Sequence, residues 1–323
     1  MNNAKYFETP INNVLHSIFA DISLYLGNNA DLVESQNGNY PFKAYFINLH
    51  EIAMIDVNRL QPQGFYKDTR GKYEDTNLVG GKPDDKSNPN LNAGGIARHK
   101  LTKEKKIYEV CGPLLLDLFR QGKPLPNLTP MKLVLTRSKP EFFVLLGPVA
   151  GENAPFTGDI KIVITECSLR LKLITPSQEV IAGHTIGLAS HNFVYTYNAL
   201  RVNTFTITGG SSIIDRDNII TTEIPHMVIF AFLDNATYSG SLGTNPFKFT
   251  SCKIQRISLY LEDVPVNPVN ETLDFTKPQP REWLNYLMQL GLSPQVDSCA
   301  NMGFTYDDWS SDCFFMLSIY LTI

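Results

Sequence analysis

The chain has 323 residues, 43% of them apolar and 19% charged, with 28 basic against 32 acidic side chains and a formal charge of −4. That length can bury a sizeable core, and the low charge argues against disorder. The acidic balance offers no cation excess for phosphates or anionic lipid, which argues against nucleic-acid binding by the body of the protein.

No apolar run approaches the roughly 20 residues needed to cross a bilayer. The polar opening MNNAKYFETPINN reads as neither a secretory signal nor a basic transit peptide, so the chain is expected to start out cytosolic. On that basis the sequons at Asn127, Asn235 and Asn270 are expected to stay unmodified. Cys111, Cys167, Cys252, Cys299 and Cys313 are scattered without a CxxC pair, which reads as reduced, mostly buried thiols.

In chain order, Ile22, Leu24 and Leu26 alternate with Asp21, Ser23 and Tyr25 ahead of Gly27-Asn28-Asn29, a strand and a turn. Between Tyr40 and Ile55, Phe42, Tyr45, Phe46, Leu49 and Ile52 recur at helical spacing. Residues 67–95 are rich in charge, Gly, Pro and Asn and predict a long exposed loop. Strands are predicted over Lys106–Phe119 and on through the block Leu114–Leu146, read as strand, turn, strand, tight turn, strand.

Gly147–Gly158 has the densest turn composition, which predicts a domain boundary near Ala154 and two units, 1–154 and 155–323. Ile160, Ile162 and Ile164, then Leu169, Leu171 and Leu173, predict a long strand whose phase changes at Glu166 and Cys167, as a bulge would require. Pro176–Leu188 reads as a helix capped by Ser177 or Thr175. Phe193–Thr208, Met227–Asp234, Cys252–Asp263 and Cys313–Ile323 read as strands, and Pro280–Leu290 as a helix between a proline start and Gly291. The fold class expected is all-β, two β-sandwich domains with a few short helices in connections.

Catalytic, cofactor and metal signatures are not recognised. His16, His50, His99, His184, His191 and His226 form no HxH, HxxxH or HExxH pattern. Gly80-Gly81-Lys82 and Thr208-Gly209-Gly210-Ser211-Ser212 lack phosphate-loop spacing. Asp84-Asp85 and Asp307-Asp308 lie in polar connections, where acids are solvated or capping. The basic run KLTKEKK at Lys100–Lys106 reads as a solvated strand entrance. Trp283 and Trp309 suit either a subunit contact or a core.

Several blocks carry a resemblance: NNVLHSIFADISLYL, YPFKAYF, FYKDTRG, LLLDLFRQGKPL, LTRSKPEFFVLL, ITECSLRLKLITPS, IPHMVIFAFLDNATYSGSLGTNPFKF and ISLYLED, in that order. Together they resemble the major capsid (hexon-like) protein of Polinton/Maverick elements and adintoviruses. The resemblance implies a double jelly roll, three chains per pseudo-hexagonal capsomer and an icosahedral shell. It also implies homotrimers contacting capsid neighbours, penton and minor capsid proteins as further partners, and residence in the virion capsid after synthesis in the host cytoplasm, with assembly there or in the nucleus. It brings no catalytic residue, cofactor or metal.

Family members carry further strands before the segment resembling NNVLHSIF and after the one resembling Phe314–Ile323, so the chain is expected to lack the strands that close both sandwiches. Two other classes stay open: a host-retained module binding a protein or carbohydrate, and a jelly-roll enzyme.

Overall fold

The computed structural model describes residues 6–52, 57–75, 92–102, 107–127, 129–148, 160–220, 223–261, 263–265, 273–274, 277–278, 280–289 and 305–318. Strand β1 (Tyr6–Pro10) leads through a one-turn helix α1 (Val14–Ser17) into β2 (Phe19–Leu26), then β3 (Asp31–Glu34) and α2 (Tyr40–Ile47). A π turn (Asn48–Ile52) and a 3-10 turn (Val57–Gln63) precede α3 (Ala93–Thr102), a short α4 (Asp117–Arg120), β4 (Met131–Arg137), α5 (Pro140–Phe143) and β5 (Val144–Pro148). Beyond these lie α6 (Gln178–Leu188), β6 (Val228–Ala231), α7 (Asn235–Ser239), β7 (Tyr260–Leu261), β8 (Val264–Pro265), α8 (Pro280–Gln289), α9 (Tyr306–Trp309) and β9 (Phe315–Ser318).

Among the described residues the strands make four small antiparallel sheets: β1 with β5, β3-β2-β4, β6 with β9, and β7 with β8. β2 forms because its alternation sends Ile22 and Leu24 inward. The other side is tied by Asp21, whose carboxylate accepts the hydroxyls of Ser23 and Ser35 at 2.7 Å and the Gln36 amide at 2.9 Å. Left-handed backbone at Gly27 and Ala30 closes the turn to β3.

Helix α2 is apolar nearly all round because it lies between two cores. Tyr40, Ala44 and Ile47 join Ile22, Leu24, Leu115, Leu116 and Leu118. Tyr45 and the following Leu49 join Phe65, Leu145, Phe247, Phe249, Trp309 and Phe314 in the larger core. There the rings of Tyr45 and Phe247 stack with centroids 4.1 Å apart, and the Trp309 indole N–H donates to the Phe315 carbonyl at 2.8 Å. This core draws residues from both sides of position 154; of the expected boundary segment Gly147–Gly158, the first two residues end β5 and the rest, with Ala154, lies outside the described residues.

The expected all-β double jelly roll is not what the chain forms. Helix takes 28% of it and strand 15%, and no sheet among the described residues exceeds three strands. The discrepancy has local causes. Leu114–Leu116 is extended but unladdered, and the predicted strand then turns into α4 under a buried Asp117. Pro140 starts a helical turn that carries Phe142 and Phe143 into the interior before β5 begins. Cys252 and Lys253 both have positive φ, which no strand accommodates, so only Tyr260–Leu261 of the predicted strand Cys252–Asp263 is paired.

Residues 160–177 and 191–208 belong to no strand, so the predicted bulge at Glu166 and Cys167 has no partner to form against. The expected exposed loop at 67–95 is tied down where it is described. Asp68, Tyr73 and Asn92 are buried, and α3 already begins at Ala93.

Several elements do follow the sequence. The predicted helices appear at Tyr40–Ile47, Gln178–Leu188 after the N-cap Ser177, and Pro280–Gln289. The predicted strands appear at Phe19–Leu26, Val228–Ala231 and Phe315–Ser318.

Candidate interaction surface

The six histidines are spread through the fold. His16 and His50 are buried. His99 meets the Glu8 carbonyl at 2.7 Å, His184 packs edge-on against Phe193, and His191 meets the Ser190 hydroxyl at 2.7 Å. His226 is exposed. Among the described residues, no three His, Cys, Asp or Glu side chains converge on one point.

Asp308 caps α9, exchanging hydrogen bonds with Thr305, and pairs with the Lys67 ammonium at 2.7 Å. Burial pushes its carboxyl up, but hydrogen bonds from Lys67 and Thr305 outweigh this and hold it below the usual range. Asp307 pairs with Arg70 at the surface, 2.9 Å away. Gly209-Gly210 forms an exposed turn, while Asp84-Asp85 and Gly80-Gly81 lie outside the described residues. Cys313 is buried against the Tyr73 hydroxyl, and burial pushes its thiol up to about 12. Cys111, Cys167 and Cys252 are exposed, contrary to the expectation of buried thiols, because the segments carrying them join no ladder; Cys299 is outside the described residues.

Sequence reading missed a set of interior polar groups. The His16 Nε2–H donates to Gln63 Oε1 at 2.8 Å, and the Tyr40 hydroxyl donates to Nδ1 at 2.9 Å. Asn48 bridges Gln63 and Asn13 from the π turn after α2. The His50 Nδ1–H donates to the Phe46 carbonyl at 3.0 Å, leaving Nε2 to accept the Tyr286 hydroxyl at 2.5 Å. Arg98 donates to Asp68, the Tyr66 carbonyl and the Pro10 carbonyl, clamping α3 to β1. These groups bind segments of the chain to one another, and their burial leaves them no access to a ligand.

Burial lowers the pKa of His16 to about 4, partly offset by Gln63, and that of His50 to about 3. The unfolded chain binds these protons near 6.5, so it holds more protons than the folded one at mildly acidic pH, and stability rises with pH there. The His16 contribution is complete above about 6.5 and lost progressively towards pH 4, on the order of 3 kcal/mol in all. Urea unfolding between pH 7.5 and 5 is expected to show falling stability, and His16→Gln a shallower fall. An unchanged slope in that variant would contradict the assignment.

Most of the large apolar side chains that the described residues leave exposed lie between residues 160 and 214. Val163 is 64% exposed, Leu171 58%, Leu173 86% and Ile213 85%. Helix α6 has no buried residue despite Val180, Ile181, Ile186 and Leu188. The stretch is held at its flanks: Ile160 and Ile162 pack near Phe143, Tyr195 and Tyr197 pack on the smaller core, and the Leu200 amide donates to Asp117 at 2.9 Å. Such a concentration of exposed large apolar side chains makes this stretch the candidate interaction surface. Among the described residues, no helix is long and apolar enough to cross a membrane.

No family model matches the chain, and no solved structure matches it. It is 26% identical over 270 residues to an uncharacterized protein of Caenorhabditis elegans. The similarity takes in 82% of this chain and 57% of the nematode protein, so the chain spans little more than half the length of the relative it matches.

Proposed function

We propose that the protein is a structural subunit that self-associates to build the shell of a virus or virus-like DNA element of the Polinton/Maverick kind. The observation that carries the reading is the exposed apolar stretch of residues 160–214 on a body whose buried polar groups bind segments of the same chain to one another. The ordered sequence blocks that resemble the capsid family support it and give the contact its purpose. In this reading the functional unit is a capsomer of identical chains, resident in the virion, with other shell proteins as its neighbours. The work is done by surface complementarity, while the cores supply rigidity.

Sedimentation velocity from 1 to about 100 times the lowest detectable concentration tests it. The expected result is a rise in mass through discrete oligomers, driven by apolar burial and therefore persisting at high salt. A chain that stays monomeric throughout would overturn the proposal.

A further inference from the structure

Residues 160–177 run without turn, bend or ladder, and Pro176 ends the stretch that can donate backbone hydrogen bonds continuously. Extended backbone alternates its side chains, so Val163, Thr165, Cys167, Leu169, Leu171 and Leu173 share one face. Ile164, Glu166, Ser168, Arg170 and Lys172 share the other. One face is thus almost wholly apolar, the other carries the charges, and most of both is exposed. An amphipathic strand without a neighbour is a template for strand addition.

The charges say what the neighbour is. A two-fold axis normal to an antiparallel pair matches each residue with one of like parity, so the axis must pass through a residue position. With the axis at Ser168, Glu166 faces Arg170 of the second copy, and Arg170 faces Glu166. Val163 then meets Leu173, Ile162 meets Ile174, and Thr165 meets Leu171. No like charges oppose each other, and Lys172 lies on the diagonal beside Glu166 of the other copy. Moving the axis to Glu166 or Arg170 sets like charges face to face.

The Ile162 carbonyl already accepts from Arg137 of its own chain. By alternation, the backbone groups of the odd-numbered residues therefore turn to the open side, and Ser168 falls at a non-hydrogen-bonded position, where opposed side chains lie closest.

We infer that residues 162–174 form an intermolecular antiparallel strand pair with a second copy of the same chain, centred on Ser168. The inference deepens the self-assembly reading and rests on it, since it names the partner and the register of one contact.

The test uses the full chain. Glu166→Arg and Arg170→Glu are each expected to weaken dimerisation about tenfold, because each opposes like charges at two symmetric sites. The double variant is expected to restore it. With Cys111, Cys167 and Cys252 changed to Ser, Ser168→Cys is expected to give an oxidised dimer reversible by thiol, and Leu169→Cys is not. All of these positions are exposed, and an unchanged thermal transition at dilute concentration checks that each variant folds.

Self-association that ignores both charge reversals, or crosslinks at Leu169→Cys instead, would overturn the strand pair while leaving self-assembly intact. Strictly monomeric behaviour of the unaltered chain would overturn both.

Discussion

Replacing Lys43 with methionine is expected to destabilise the protein by about 3–5 kcal/mol, the cost of breaking a buried ion pair by removing one partner. Lys43 sits on the otherwise apolar helix α2, with its side chain fully buried. Its ammonium lies 2.6 Å from Glu34 Oε1 and 2.7 Å from Asp117 Oδ2, and both carboxylates are buried as well. The carboxylates have other duties. Glu34 accepts the Asp117 amide at 2.8 Å, and Asp117 accepts the Leu200 amide at 2.9 Å, so the triad joins β3, α2, α4 and the segment at 200.

Without the ammonium, two carboxylates face each other in the interior, with Arg120 at 3.9 Å from Asp117 a weak offset. Glu34→Gln with Asp117→Asn in the same chain is expected to recover part of the loss, since the backbone hydrogen bonds can persist without the charges. Urea unfolding with an unchanged m-value measures it, and a loss below about 1 kcal/mol would show that the triad is solvated in solution.

Trp309→Ala is expected to cost a similar amount, about 3–5 kcal/mol, by a different mechanism. The indole is 2% exposed and packs among Trp283, Tyr286, Tyr306 and Phe314. Its removal opens a cavity and also takes away the hydrogen bond to the Phe315 carbonyl at the start of β9. Trp309→Phe keeps most of the volume and loses mainly the hydrogen bond, so about 1–2 kcal/mol is expected. Calorimetry of the two variants separates the terms. Equal losses would mean that the hydrogen bond, rather than the packing, holds the element in place. Of the two placements the sequence allowed for this residue, a subunit contact or a core, the structure supports the core.

Elements that carry their own local signal are legible in the amino-acid sequence. Helix α2 is marked by apolar residues at helical spacing behind Pro41, α6 by a serine at its N-cap position, which makes no side-chain capping hydrogen bond, and α8 by its proline start. β2 is marked by alternation and by a Gly-Asn-Asn turn. Each depends on contacts within a few residues, where period and capping chemistry decide the outcome.

The segments misread as ladder strands, Lys106–Phe119 where it is described, 160–174, 193–208 and most of Cys252–Asp263, carry alternating apolar residues. Alternation tells where side chains point. It does not supply a neighbouring strand, and pairing between distant segments is where the expected sandwich failed.

The interior polar groups were illegible for a related reason. Lys43, Arg98, His16 and His50 look like ordinary surface or isolated residues in the chain, and only their distant partners make their burial tolerable. The exposed apolar stretch was legible as composition but not as surface. Composition and local period settled where this chain could form helices and strands and which signatures it lacks. Which alternating segments found partners, which charges were taken inside, and which apolar residues were left exposed followed from tertiary packing, because long-range pairing and desolvation depend on residues far apart in the chain.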